Sequence, residues 1–215
     1  MKNFCITLAM LVFCLSSCKR EPKTESENTK VTDSVKTEEA IAEVPLDSAA
    51  QMKAWAEYAT PGSSHEMMAD ETGTWNCDMT FWMEPKGKPE KATSVANIKM
   101  ILGGRYQEAN YSGTMMGQPF EGKSTLAYNN ASKEYTTTFI DNMGTGMIIA
   151  TGKFDEKSKS MELKGDMVNP LNGKKTPYRE IYTIVDANTR KMEMFDVTPE
   201  GKEYKSMEIV MTRKK

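Results

Sequence analysis

From Gly73 onward the chain contains short segments in which apolar and polar residues alternate. In GTWNCDMTFWM, residues 73–83, every second side chain is apolar: Trp75, Cys77, Met79, Phe81 and Met83. The segments KSMELKGDMV, RKMEMFD and KSMEIVMTR repeat this pattern, with methionine at most of the apolar positions. Successive side chains of a β-strand point to opposite faces, so the pattern predicts strands with one buried face.

Turn-forming sequences separate these segments at short intervals. They are EPKGKPE, LGG, MMGQP, NNASK, NMGTG, DEKSK, NPLNGKK, DANTR and TPEGKE. Glycine, proline, asparagine and aspartate mark turns, and turns between successive strands indicate antiparallel hairpins. The pattern predicts an all-β domain over residues 73–215, an antiparallel up-and-down barrel of about ten strands. The segments around residues 133–152 alternate poorly, and no inward face is predicted there.

Residues 46–72 have the spacing of one or two short helices that precede the barrel. Ser48 and Gln51 have the spacing of a capping box, as do Ser63 and Glu66. The first helix places four apolar residues on one side: Met52, Trp55, Ala56 and Ala59. Pro61-Gly62 ends the first helix and Gly73 follows the second.

The N-terminus has the layout of a secretory signal. Lys2 precedes an apolar run over residues 4–15, which is too short to span a bilayer as a stable anchor. The tetrad that follows, Leu15-Ser16-Ser17-Cys18, resembles the lipobox of bacterial lipoproteins. This resemblance implies that residues 1–17 are removed, that Cys18 receives a diacylglycerol, and that the new N-terminus is acylated. The alternative is an ordinary secretory signal followed by a chance cysteine.

Residues 18–45 are expected to form a lipid-anchored, disordered tether. After Cys18 the segment is highly charged and has no aromatic residue, so it has too little apolar surface to offset the entropy of ordering it. Lys19 is not the aspartate that retains some lipoproteins in the inner membrane, so the resemblance implies an outer-membrane anchor. The mixed charges after Cys18 leave open whether the domain faces the periplasm or the exterior.

The net charge and the cysteine count argue against nucleic-acid binding and against a disulfide. The formal net charge is -2 and the charges are interspersed, which argues against nucleic acid as a partner. With Cys5 and Cys14 removed and Cys18 lipidated, Cys77 is the only thiol of the mature chain, and no intramolecular disulfide is expected. Because Cys77 is predicted to face the core and has no barrel histidine to activate it, we expect it to be inert.

Gly73-Thr74-Trp75, at the start of the first strand and after a short helix, resembles the G-x-W signature of the calycins, the lipocalin-like barrels. In that family the tryptophan closes one end of the barrel, and a basic residue of the last strand packs across its ring. Arg213 stands at the matching place. The resemblance implies that Gly73, Trp75 and Arg213 form this structural signature through a cation–π contact.

A closer resemblance, over about residues 64–214, is to the bacterial domain of unknown function 1579 family. The matching motifs are Gly103-Gly104-Arg105, Pro119-Phe120-Glu121-Gly122, Tyr128-Asn129, Gly201-Lys202-Glu203 and Thr212-Arg213. The chain has TFID where the family more often has a tryptophan before Ile-Asp. This resemblance implies fold and kinship, and no activity comes with it.

Methionine is abundant, with 18 residues. Those on predicted inward faces are Met79, Met83, Met100, Met161, Met167, Met192, Met194, Met207 and Met211. They favour an adaptable pocket for an apolar ligand, although methionine also fills solid cores. A copper(I) site is disfavoured because the methionines are spread over many strands. Haem-binding barrels need an axial histidine from the barrel, and the single histidine, His65, lies before it. We expect no metal and no cofactor.

Two functions from different classes remain. In the first, the barrel binds a small apolar or amphipathic ligand of the cell envelope. Its expected contacts are Trp82, Tyr111, Phe139 and Tyr182, with Arg105 or Arg179 holding a polar head. In the second, the barrel is filled, and its outer face or its helices dock an envelope protein. Asp141, Glu180 and Asp196 are acids that could face inward, but more often such acids pair with arginine, and no catalytic residue is assigned.

Overall fold

The computed structural model describes residues 47–215. The predicted signal, the lipidation site Cys18 and the tether lie outside the described residues. Two helices come first, α1 (Ser48–Ala59) and α2 (Ser63–Ala69). No helix within residues 47–215 is long and apolar enough to cross a membrane.

Both predicted capping boxes were wrong by one residue or more. Helix α1 is capped by Asp47, whose side chain accepts a hydrogen bond from the Ala50 amide at 2.7 Å. Helix α2 begins after Gly62, whose amide donates to His65 Nδ1 at 3.1 Å. In α1 the acceptor Asp47 satisfies a free amide of the first turn, whereas in α2 the N-cap is a glycine and the His65 side chain accepts from the N-cap amide.

Ten strands follow the helices. They are β1 (Gly73–Phe81), β2 (Glu90–Ile101), β3 (Tyr106–Met115), β4 (Gln118–Asn129), β5 (Glu134–Asp141), β6 (Ile148–Asp155), β7 (Ser160–Val168), β8 (Lys175–Asp186), β9 (Thr189–Val197) and β10 (Glu203–Arg213). Each pairs antiparallel with the next, and β1 pairs with β10, which closes the barrel. The predicted ten-stranded up-and-down barrel is confirmed.

The two ends of the barrel differ. At the end where β1 begins and β10 ends, Trp75 pairs with Arg213 and α2 lies against β2, β3 and β4. We call this the closed end. The opposite end, where β1 ends and β10 begins, is surrounded by the β1–β2, β3–β4, β5–β6, β7–β8 and β9–β10 loops. We call it the open end.

The buried apolar residues form two clusters below the closed end. One contains Met68, Tyr135, Ala150, Met161, Leu163 and Tyr178. The other contains Trp75, Cys77, Ala96, Ile98, Ala109 and Met211. Met68 belongs to α2, so burial of its side chain fixes this helix against the barrel.

Helix α1 buries no residue. Met52 and Trp55 are 73% and 70% exposed, and Trp55 makes an edge-to-face contact with Tyr58. The C-terminal end of α1 is attached to the barrel through Asn130, which donates hydrogen bonds to the carbonyls of Glu57, Tyr58 and Thr60. The predicted apolar side of α1 therefore exists, but it is not packed on the barrel.

Candidate functional site

The barrel encloses a cavity of about 390 Å³ near the open end. Its wall includes side chains from all ten strands, and β6 and β7 contribute only Ile148 and Met167, both near the open end. This volume lies within the range of small-molecule sites, about 300–1,000 Å³. The interior is therefore not solid, and the barrel has room for a small molecule.

Methionine contributes much of the cavity wall. Seven of the nine methionines predicted to face inward line it: Met79, Met83, Met167, Met192, Met194, Met207 and Met211. Met161 lies deeper and Met100 packs against the core. Met115 also lines the cavity and was not predicted. Flexible thioether side chains give the wall an adaptable shape.

Three of the four predicted aromatic contacts line the cavity. Tyr111 and Phe139 meet edge to face with centroids 5.9 Å apart, and Trp82 lies near the open end. Burial raises the pKa of Tyr111, so its hydroxyl stays protonated, and it lies 3.4 Å from Ser124 Oγ. Phe139 belongs to the region for which no inward face was predicted. Ligand binding by these three residues stays a prediction.

The fourth aromatic, Tyr182, lines a smaller, deeper pocket of about 50 Å³. Its hydroxyl donates to Glu71 Oε1 at 2.6 Å, and burial raises its pKa well above the usual value. Six residues line both pockets: Tyr111, Ser124, Thr137, Glu180, Met192 and Met211. They separate the main cavity from the polar cluster at the closed end.

The two arginines expected to hold a polar head lie elsewhere. Arg179 alternates with Tyr178 and Glu180, which face inward, so it points to the outer face. There it makes a two-point contact with Glu203, at 2.8 and 2.6 Å, and stacks on a ring of β9. Arg105 is exposed in the β2–β3 turn at the closed end, away from the cavity. Neither placement fits the predicted role.

Three carboxyl groups do line the cavity. Glu180 is 5% exposed, and Tyr178 donates a hydrogen bond to its Oε2 at 2.5 Å. Burial raises the pKa of Glu180, and the Tyr178 hydrogen bond opposes this shift. Asp141 and Asp196 lie at the ends of β5 and β9, close to the open end. The pairing of such acids with arginine, expected from the sequence, is not found for these three within residues 47–215.

Cys77 also lines the cavity and is buried. Burial raises the pKa of its thiol to about 11, although the neighbouring Ser94 hydroxyl acts in the opposite direction. A thiol that remains protonated is a weak nucleophile, in agreement with the prediction of an inert core residue.

Trp75 closes the barrel at the end away from the cavity opening. The Arg213 guanidinium lies 4.3 Å from the centroid of the Trp75 ring and donates to the carbonyls of Thr72 and Asp70. A second guanidinium, that of Arg190, lies 5.2 Å from the same ring. Gly73 has φ +133°, a conformation that favours glycine, and an added Cβ would meet Arg213 at 3.1 Å.

Sequence reasoning missed the polar cluster beneath this ring. Glu71 accepts hydrogen bonds from Arg190 at 3.0 Å and from Gln107 at 3.0 Å, in addition to the one from Tyr182. Arg190 has the same strand parity as Met192 and Met194, so alternation could have placed it inside the barrel. No comparable signal marks Glu71, which lies before the first strand.

The family described as protein of unknown function (DUF1579) matches residues 60–213. The chain belongs to this family. The family resemblance inferred from the motifs is thereby confirmed. A comparison with curated protein sequences finds no match.

Solved structures with the same architecture agree on the fold. Rv2717c from M. tuberculosis is 12% identical, with a TM-score of 0.55 over 73% of this chain and 100% of its own. The S-type phycobiliprotein lyase CPES from Guillardia theta is 11% identical, with a TM-score of 0.52 over 75% of this chain and 97% of its own. These likenesses identify this DUF1579 protein as a calycin-like barrel and establish nothing further about it.

Proposed function

We propose that this DUF1579 protein binds a small apolar or amphipathic molecule of the bacterial cell envelope inside its barrel. The observation that carries the proposal is the cavity of about 390 Å³ with its wall of methionine and aromatic side chains. Transfer of an apolar ligand from water into such a wall is favourable by about 25 cal/mol per Å² of apolar surface buried. The proposal assigns no catalytic residue.

The loops around the open end support this proposal. Four of them carry exposed apolar side chains: Met83, Met116, Met143, Met147, Val168 and Leu171, the last of which is 92% exposed. A lipid anchor at Cys18, proposed from the lipobox, would hold the barrel near a membrane, most simply the outer membrane. An apolar rim beside the lipid surface would allow an apolar ligand to pass between membrane and cavity.

A native mass spectrum of residues 46–215, expressed without the lipid anchor, tests the proposal. The expected result is a reproducible added mass that disappears after extraction with organic solvent. A bare protein mass that stays unchanged after incubation with envelope lipids would contradict it. In a Met194→Arg variant the guanidinium would fill part of the cavity, and the added mass should be lost; a Val185→Arg variant, changed at an exposed site, should retain it.

A second candidate function is docking of an envelope protein on α1. It is favoured by the exposure of Met52 and Trp55, whose side chains lie on the same side of a helix that buries nothing. The two functions are compatible, because α1 is remote from the cavity lining.

Photo-crosslinking in the native membrane tests docking. A photoreactive residue at Trp55 should yield one discrete adduct, whereas the same residue at Lys53, on another side of α1, should yield none. Equal crosslinking from the two positions, or none from either, would refute docking through this side of the helix.

A further inference from the structure

The ionisable groups of the cavity wall all carry one sign. Asp141, Glu180 and Asp196 line the cavity, and among its lining residues in the described part of the chain, 47–215, there is no lysine, arginine or histidine. Basic side chains close to the wall are engaged elsewhere. Arg179 contacts Glu203 on the outer face, Lys205 pairs with Glu193 and Glu208, and Arg190 contacts Glu71 beneath the cavity. Within residues 47–215, therefore, no basic side chain of the cavity wall offsets these acids, although Asp141 Oδ1 accepts hydrogen bonds from the Met143 and Gly144 amides.

Glu180 is the most deeply placed of the three. It is 5% exposed, and Tyr178 is the only hydrogen-bond donor to it within residues 47–215, through Oε2. The other oxygen, Oε1, has no donor in the described part of the chain. A carboxyl group buried without a second partner is costly in its charged form, so its pKa is raised. A cation in the cavity would remove this cost.

The aromatic wall favours the same kind of ligand. Trp82, Tyr111, Phe120 and Phe139 line the cavity together with the acids, and the Lys205 ammonium lies 5.2 Å from the centroid of the Trp82 ring. Aromatic faces attract ammonium groups, by about 0.5–2 kcal/mol each, and aromatic cages recognise quaternary ammonium ligands. An anionic head would be repelled by acids of its own sign, by Asp141 and Asp196 near the open end and more strongly by ionised Glu180 in the buried part of the wall.

We propose that the ligand is a cationic amphiphile, an amine or quaternary ammonium group on an apolar body, with the cationic group held by Glu180 and drawn in past Asp141 and Asp196. This inference rests on the proposed ligand-binding function and names its ligand class. It replaces the earlier expectation of an arginine-bound head, which suits an anionic amphiphile such as a fatty acid.

Three probes of equal chain length test the inference: hexyltrimethylammonium, 1-hexanol and hexanoate. The full chain is placed in phosphatidylcholine nanodiscs, and binding is measured by the change in tryptophan fluorescence, since Trp82 lines the cavity. We expect the cation to bind at least tenfold more tightly than hexanol, and hexanoate to bind most weakly. Equal affinities, or tighter binding of hexanoate, would overturn the ligand class.

Variants test whether the cation is bound by the cavity acids themselves or only attracted by the overall negative charge of the protein. Glu180→Gln keeps the size and the Tyr178 contact, and it should weaken binding of the cation at least tenfold while binding of hexanol is unchanged. Asp196→Asn should weaken binding of the cation two- to fivefold. Glu200→Gln is the control, because it removes one charge from an exposed position of the β9–β10 loop. The melting temperature of each variant, measured without probe, shows whether the variant is folded. If Glu180→Gln does not fold, the cation affinity of Asp196→Asn tests the inference instead.

The outcomes distinguish the two proposals. If none of the three probes binds and no molecule copurifies, the ligand-binding function itself fails. If hexanol and hexanoate bind as well as the cation, the cavity binds ligands but the inference of a cationic ligand is wrong. If Glu180→Gln and Asp196→Asn leave the cation affinity unchanged, the acids are not its partners and the inference is also wrong.

Discussion

The Arg190 guanidinium donates a hydrogen bond to the Glu71 carboxylate at 3.0 Å, and both side chains are buried at the closed end of the barrel. Glu71 precedes the first strand, whereas Arg190 belongs to β9. Their contact joins the segment after α2 to a distant strand, and it lies directly below the Trp75 ring that closes the barrel. The pair therefore belongs to the structure of the closed end and not to the ligand site.

Replacing Arg190 by Met should destabilise the protein by about 3–5 kcal/mol, because it leaves the Glu71 carboxylate buried without its cationic partner. The free energy of unfolding in urea measures the effect. The Glu71→Gln/Arg190→Met double variant should recover part of the loss, since it no longer buries an unpaired charge. A loss below about 1 kcal/mol for Arg190→Met would show that the pair is not important for stability.

Lys53→Ala is the matched control for this experiment. The Lys53–Glu57 ion pair of α1 joins two exposed side chains, 78% and 69% accessible, at 3.7 Å. Because exposed pairs are screened by water and salt, the change in unfolding free energy should stay within about 0.5 kcal/mol.

The contrast between Trp75 and Phe139 shows which parts of the structure the sequence alone predicts. Alternation of apolar residues located the strands, and the G-x-W motif located the closed end, because both are local patterns with a direct structural cause. Phe139 shows the limit. Residues 134–141, EYTTTFID, offer threonines on both faces, so neither face stands out as apolar, although Tyr135, Thr137 and Phe139 all face inward.

The contents of the site were harder to predict than the fold. Arg179 was expected to hold a polar ligand head, yet its neighbours Tyr178 and Glu180 already occupy the inward positions of β8. Alternation alone would have excluded it. That the described strands place no basic residue in the cavity wall depends on how the ten strands are aligned, and one strand's sequence does not contain this information.

Arg213→Ala should destabilise the protein by about 1–3 kcal/mol. The change removes the cation–π contact with Trp75 and two hydrogen bonds to backbone carbonyls. Arg213→Lys should recover only part of this loss, because an ammonium group lacks the planar fork that reaches both carbonyls. Thermal or urea unfolding measures both variants. Lys215→Ala, at the exposed C-terminus, serves as control; an equal effect there would contradict the assignment.

The stability should depend on pH through Glu180. Its folded-state pKa is raised above the ordinary value of 4.5, chiefly by burial. The stability that protonated Glu180 contributes is therefore fully present below pH 4.5, and this stability is lost as the pH rises through the folded-state pKa. Glu180→Gln cannot ionise, so its unfolding free energy should rise relative to that of the wild type as the pH increases above 4.5. A difference that stays constant with pH would contradict the raised pKa.

Cys77 should react slowly in the folded protein. Its thiol is buried and burial raises its pKa to about 11, so little thiolate is present at neutral pH. Alkylation by iodoacetamide, followed by mass spectrometry of the Cys77 peptide, should be at least about tenfold slower in the native protein than in urea. Similar rates in the two states would mean that the thiol is accessible and activated through the cavity.

Gly152→Ala should destabilise the protein, although it adds only one methyl group. A Cβ at this position would lie 1.8 Å from the Glu162 carbonyl oxygen of the neighbouring strand β7, far inside van der Waals contact. Because this carbonyl belongs to the backbone, the clash can be removed only if β6 and β7 move apart. Gly152 pairs with Leu163, which is part of the buried core. Overpacking of this kind costs about 1–3 kcal/mol, measured by urea unfolding.

Gly144→Ala is the control, since nothing lies within 4 Å of its Cβ position. If the two variants are equally stable, β6 and β7 separate without cost, and the close strand contact does not constrain the barrel.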